Sequence, residues 1–190
     1  MKKSAPAKAL ALLLALATFH ALTAANAAAQ RRDHLTPEEI ELIRDNQELD
    51  KRTEVFIKAA ERRLLALTDS AAAAKQLEKD TEKWGVVKGT REQLLYDISK
   101  ILDEAVVNID DAHLHSPDSP LLRKSLFKLS EAAARFLPQL APLRQSTQSE
   151  KERDILERAI ESVEEIVEAA KSHNVNEGDL KAKSNAKKNN

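Results

Sequence analysis

An all-α fold, an antiparallel four-helix bundle behind an N-terminal signal peptide, is what this sequence predicts, and three observations predict it. Ala, Leu, Glu, Lys and Arg dominate, the residues that lose least conformational freedom on entering a helix. Apolar residues recur at three- and four-residue steps, and runs of alternating β-branched residues are lacking. The three glycines, Gly85, Gly89 and Gly178, all fall where helices are expected to end or connect.

Residues 1–29 divide into the zones of a secretory signal. Lys2, Lys3 and Lys8 make the basic start, and Ala9 to Ala25 is an Ala/Leu run broken only by Thr18, His20 and Thr23. Ala25-Asn26-Ala27 and Ala27-Ala28-Ala29 are small-x-small sites, so the mature chain is expected to begin at Ala28 or Gln30. An uncleaved anchor is the rival reading, because a spanning helix needs roughly 20 apolar residues. Arg31 and Arg32 lean towards that rival, since basic residues resist translocation. The Ala-rich run and the A-x-A endings favour cleavage and export to the periplasm or medium. No later segment is apolar enough to span a bilayer.

Removing residues 1–29 leaves 27 basic against 31 acidic side chains, a net charge of −4. That balance argues against general nucleic-acid binding, which leaves a basic excess. About 160 remaining residues suffice for one domain with a real core. The absence of Cys excludes disulfides, thiol catalysis, thioether-linked haem and Cys-based zinc sites.

The first helix starts at Thr36-Pro37-Glu38-Glu39, where Thr36 caps, Pro37 suits the first turn and Glu39 completes a capping box. Its seam reads Leu42, Leu49, Phe56, Ala60, Leu64 and Leu67, with Asn46 and Thr53 on the same face. Residues 37–84 are expected to form either one very long helix or a long helix followed by a short one, a continuous or kinked pair that Thr68-Asp69-Ser70 ends or softens and Gly85 stops. Thr90 caps the second long helix, whose seam is Leu94, Ile98, Ile101, Ala105, Ile109 and Ala112 and whose end lies near His115. Ser119 and Pro120 open the third, with a heptad-like seam of Leu122, Leu126, Leu129, Ala133, Phe136, Leu140 and Leu143. Pro138 and Pro142 predict a kink or an end near Leu137. The fourth runs from about Ser149 to Ser172, with Leu156, Ala159, Ile160, Val163, Ile166, Val167 and Ala170 inward. The bundle domain is thus 30–173. Residues 174–190 are polar and Lys/Asn-rich, expected to be a disordered tail; its Lys181, Lys183, Lys187 and Lys188 give at most weak, salt-sensitive attraction to anionic surfaces.

Two groups of residues are candidate sites. Asp110, His113 and His115 offer carboxylate and imidazole ligands for a transition metal. His113 and His115 lie about 200° apart on a continuous helix, so they converge only if the helix ends between them. The plainer reading is cationic side chains at a helix C-terminus. Glu157, Glu161, Glu164, Glu165 and Glu168 form an acidic stripe opposite the fourth helix's apolar face. As a functional surface it would dock a basic partner or divalent cations. As a solvated face it would pair partly with Arg123, Lys124, Lys128 and Arg135 of the third helix. Trp84 and Tyr96 flank the Gly85–Gly89 loop, lining a small pocket or plugging the bundle's end.

No bound cofactor is expected. The Glu-x-x-His pairs of di-metal bundles are missing and Met1 is the sole methionine. G-x-S-x-G, H-E-x-x-H and a phosphate-cradling glycine loop are also missing, so an enzyme is not expected. Leu35-Thr36-Pro37-Glu38-Glu39 resembles the LTxxQ motif of periplasmic stress chaperones, which are small, exported and helical; Glu39 stands in place of Gln, and no second copy occurs. The expectation is a non-enzymatic envelope protein acting by protein–protein contact or self-association. Its alternatives are a metal- or small-ligand-binding bundle and a chaperone-like holdase.

Overall fold

The computed structural model describes residues 33–181, and the expected signal peptide lies outside them. Every regular element among the described residues is helical: α1 (Pro37–Asp45), α2 (Leu49–Thr68), α3 (Ser70–Trp84), α4 (Arg91–His115), α5 (Pro120–Leu140) and α6 (Glu150–Ser172). Two 3-10 turns, Ala141–Ser146 and Glu177–Lys181, follow α5 and α6. No helix among the described residues is long and apolar enough to cross a membrane.

Where one long helix or a long and a short one were expected over 37–84, the chain forms three helices. Asn46 breaks it first, because its side-chain amide donates to the Leu42 carbonyl at 2.7 Å while its backbone turns extended. Asn competes in this way with the helical ladder. Asp69 breaks it again, leaving helical geometry and accepting from Ala72 N–H at 2.9 Å as the cap of α3. An end near Leu137, one of the two outcomes expected around Pro138, does not occur. α5 runs past Leu137 to Leu140 with the proline inside it, and the chain then tightens into 3-10 geometry where Pro142 follows.

α2 packs against α4 and α5, and α6 packs against the same two helices. Cross-helix pairs fix the directions. Lys128 meets Asp50 and Arg135 meets Glu61, so α2 and α5 run parallel. Arg91 meets Glu152 and Asp103 meets Ser162, so α4 and α6 run parallel as well. Arg52 meets Asn108 while Arg63 approaches Asp97, which makes α2 and α4 antiparallel. Successive long helices therefore reverse direction, yet two of the adjacent pairs are parallel.

The seams meet in one core in which Phe56, Leu95, Ile98, Ile101, Leu129, Phe136, Leu156 and Val163 are almost wholly buried. Burying each large apolar side chain stabilises by about 1.5–3 kcal/mol. Ala59, Ala60, Ala105, Ala132, Ala133 and Ala159 are also fully enclosed, so the small residues of the seams bring helices close together.

Charge is buried too. Glu39 is 0 % exposed, and its carboxylate accepts from Arg62 at 2.6 Å, Arg63 at 2.5 Å and Thr36 N–H at 2.9 Å. Arg62 also donates to the carbonyls of Trp84 and Gly85, Arg63 to those of His34 and Ala59, and the Thr36 hydroxyl to Trp84. Asp97, 1 % exposed, lies 4.0 Å from Arg63 and balances the second guanidinium. Gly85 has φ +69, and a Cβ there would collide with Glu38 and Thr36, so only glycine lets this loop approach the cap. Trp84 supplies its carbonyl and places its ring 5.9 Å from the Arg62 guanidinium, whereas Tyr96 is 45 % exposed. Removing one partner of a buried ion cluster strands the others. Glu39→Ala is therefore expected to cost about 3–5 kcal/mol, read as a shift in the urea midpoint at unchanged slope.

A second node joins α2 to α5. Asp50, 1 % exposed, meets Lys124 at 2.9 Å and Lys128 at 2.8 Å, and Lys128 also meets Glu54 at 2.6 Å. Burial pushes the Asp50 carboxyl up, but the hydrogen bonds and charges of Lys128 and Lys124 outweigh it and hold it below its ordinary 3.8. Burial likewise works against the Lys128 ammonium, and Asp50 and Glu54 raise it above its ordinary 10.5. Asp50 thus contributes fully above its unfolded value, and that contribution disappears as pH falls through the folded one; the Lys128 contribution disappears only as pH rises through its raised value. Asp50→Asn is expected to lower stability at neutral pH, with the gap to wild type shrinking below about pH 4. Urea midpoints across the acid limb check this.

Candidate functional site

The two parallel helices α4 and α6 are fastened at one end and open at the other. At the fastened end the Arg91 guanidinium meets the Glu152 carboxylate at 2.5 Å and the Ser146 hydroxyl at 2.9 Å. Further along, Ser162 donates to Asp103 at 3.3 Å. Beyond that point the facing positions no longer bridge the gap. Val106, Asp110 and His113 of α4 stand across from Glu165, Ala169 and His173 at the end of α6. Leu122, Leu126 and Leu129 of α5 form the floor, and Val175 closes the far end. The result is a mainly apolar groove of about 820 Å³.

Its lip is unusual for a helix surface. Val107 is 63 % and Leu114 80 % exposed, and seven residues separate them, which places both on one face of α4. Asp110 and Asp111 lie between them on that face. An apolar strip interleaved with carboxylates therefore runs along the groove's edge. Asp103 is paired with Lys100 at 3.0 Å, and His34 lies 3.0 Å from Glu104. Asp110 and Glu165, both exposed, carry no ion pair among the described residues.

Arg123, the one arginine lining the groove, is engaged. It meets Asp179 at 2.9 Å and donates to the carbonyls of His173 and Asn174 at 2.9 and 2.8 Å. The Arg123 hydrogen bond, with the Asn176 backbone N–H, holds the Asp179 carboxyl below its ordinary value. Residues 174–181 are thereby folded onto α5, which corrects the expected disordered tail for that stretch; residues 182–190 lie outside the described ones. Asn174, at φ 51, makes the reversal after α6.

The structure separates the metal-ligand candidates. α4 stays helical through His115, so the two histidines diverge. His113 lines the groove beside Asp110, while His115 turns back to Asp111, with Nδ1 2.7 Å from its carbonyl oxygen and 3.5 Å from its carboxylate. Among the described residues no group of three or more His, Asp and Glu side chains is placed to hold a metal ion.

The acidic stripe divides as well. Glu157 is held at 2.6 Å by Arg144, whose guanidinium keeps the carboxyl below its ordinary value, and Glu168 lies 3.6 Å from Lys171. Glu161 and Glu164 are exposed, and Glu165 reaches the groove. The pairing expected with α5 is corrected: Lys124 and Lys128 are committed to Asp50, Arg135 to Glu61 and Arg123 to Asp179. Sequence reasoning missed the groove itself. The signal for it was Val107 and Leu114, apolar residues off the Leu94–Ala112 seam.

Comparison with protein-family models, with curated proteins and with solved structures finds no match. Lip and floor differ in what they do for the fold. Val107→Ser and Leu114→Ser are expected to leave stability within about 0.5 kcal/mol of wild type. Leu129→Ala, in the buried floor, should cost about 2–5 kcal/mol. Denaturant midpoints of the three variants make the comparison.

Proposed function

We propose that this chain is an exported, non-enzymatic four-helix-bundle protein that acts in the cell envelope through protein–protein contact, by a partner or by self-association. The observation that carries the reading is the groove between α4, α5 and α6 with its exposed lip. An apolar groove whose lip also carries two exposed large apolar side chains on one helix face is the kind of surface that partners cover. Export rests on the pattern of residues 1–29.

A small apolar ligand is a second reading, favoured by the groove's volume of about 820 Å³, which falls in the range of small-molecule pockets. The exposed Val107 and Leu114 weigh against it, because a ligand confined to the groove leaves the lip uncovered.

Cross-linked capture from the native envelope fraction, using tagged full chain, tests the reading. Stoichiometric recovery of one partner or of a second copy, lost in a Val107→Ser/Leu114→Ser variant that folds normally, is the expected result. Capture of nothing, or capture indifferent to that variant, contradicts it.

A further inference from the structure

We propose that the groove's occupant is a basic amphipathic helix of about three turns, supplied by a partner protein. The inference rests on the protein-contact reading and adds the chemistry of the partner.

Length comes from the walls. α4 lines the groove from Asp103 to His113, and α6 with its C-cap from Ser162 to His173, each about 15 Å at 1.5 Å per residue. The walls are parallel and the floor is a third helix, so the trough is straight and matches the long axis of an added helix. An occupant presenting apolar residues at i, i+3, i+4 and i+7 fills such a trough from one face. It also spreads over the edge, where Val107 and Leu114 stand 63 % and 80 % exposed; a polypeptide covers that lip and a small ligand does not.

Charge complementarity sets the partner's sign. Asp110 and Asp111 punctuate the lip on α4, and Glu165 stands exposed on the facing wall of α6. The cations nearby are already spent: Lys100 on Asp103, Arg123 on Asp179, Lys171 on Glu168. A helix with Lys or Arg flanking its apolar stripe would therefore meet carboxylates on both sides. An acidic helix would meet repulsion on both.

The test uses fluorescein-labelled synthetic peptides of about 18 residues, long enough to span the trough, titrated against the full chain by anisotropy. One carries Leu at i, i+3, i+4 and i+7 with Lys elsewhere; the other replaces every Lys by Glu. The Leu/Lys peptide is expected to bind saturably at one per chain, and the Leu/Glu peptide at least about ten-fold more weakly. Val107→Ser/Leu114→Ser is expected to weaken the Leu/Lys peptide about ten-fold. Asp110→Asn/Glu165→Gln is expected to weaken it and to flatten its salt dependence. Equal binding of the two peptides overturns the charge claim, and Leu/Lys binding unmoved by the lip variant overturns the site. If the Leu/Lys peptide fails while envelope capture still depends on Val107 and Leu114, the partner chemistry is wrong and the protein-contact reading survives. If both fail, the reading fails with it.

Discussion

The way α1, the middle of α2 and the exit of α3 meet depends on the burial of one carboxylate. Glu39 is enclosed with Arg62, Arg63 and Asp97, two negative against two positive charges; terminal nitrogens of both guanidinium groups donate to backbone carbonyls, and Arg63 Nε faces Asp97 at 4.0 Å. Those carbonyls belong to His34, Ala59, Trp84 and Gly85, so the cluster ties the entry of α1, the middle of α2 and the exit of α3 to one point, with Asp97 of α4 beside it. An apolar cluster of the same size would hold these elements together less specifically, since it fixes no direction for a carbonyl. The charged one tolerates few alternative arrangements, because each leaves a donor or charge without an acceptor in a place water does not reach.

From that pinned end the molecule opens towards the other. Asp50 with Lys124 and Lys128 ties α2 to α5 near the far end, whereas α4 and α6 have nothing comparable beyond Asp103 and Ser162. The two parallel helices are thus held at their starts and left separate at their finishes. Ala169 is too short to reach across, and Asp110 and Glu165, which line the gap from opposite walls, carry like charges. A groove is what such a pair of walls leaves behind. Its apolar floor belongs to the common core, for Leu122 and Leu129 pack there with Ile109 and Ile166. Core and candidate site are therefore continuous.

Much of the fold was legible because helix seams and caps are local. Thr90 with Gln93, Ser119 before Pro120 and Ser149 before α6 act as the caps their positions suggest, and the seams Leu94–Ile109 and Leu156–Ala170 are largely buried. What escaped the sequence was long-range. Glu39 reads as a capping residue and is one, but its burial comes from Arg62 and Arg63, 23 and 24 positions away. Nothing in the periodicity marks two adjacent arginines as interior. The breaks at Asn46 and Asp69 were half-visible, as residues that compete for the backbone, but whether they bend a helix or end it is decided by packing. Helix adjacency was not legible at all, since an amphipathic seam does not say which neighbour it meets. The groove depends on that adjacency. Hence Asp110, His113 and Glu165 were singled out for metal or charge, while the apolar trough that they border went unseen.

One end of the molecule is locked by buried charge, while the groove end stands apart from that lock. Hydrogen exchange of the full chain, compared between wild type and Glu39→Gln under native conditions, tests it most directly. Faster exchange is expected in Pro37–Asp45 and across residues 85–90, with amides of 106–113 and 162–173 unchanged. Uniform acceleration over all these segments, or no change at Pro37–Asp45, would contradict it.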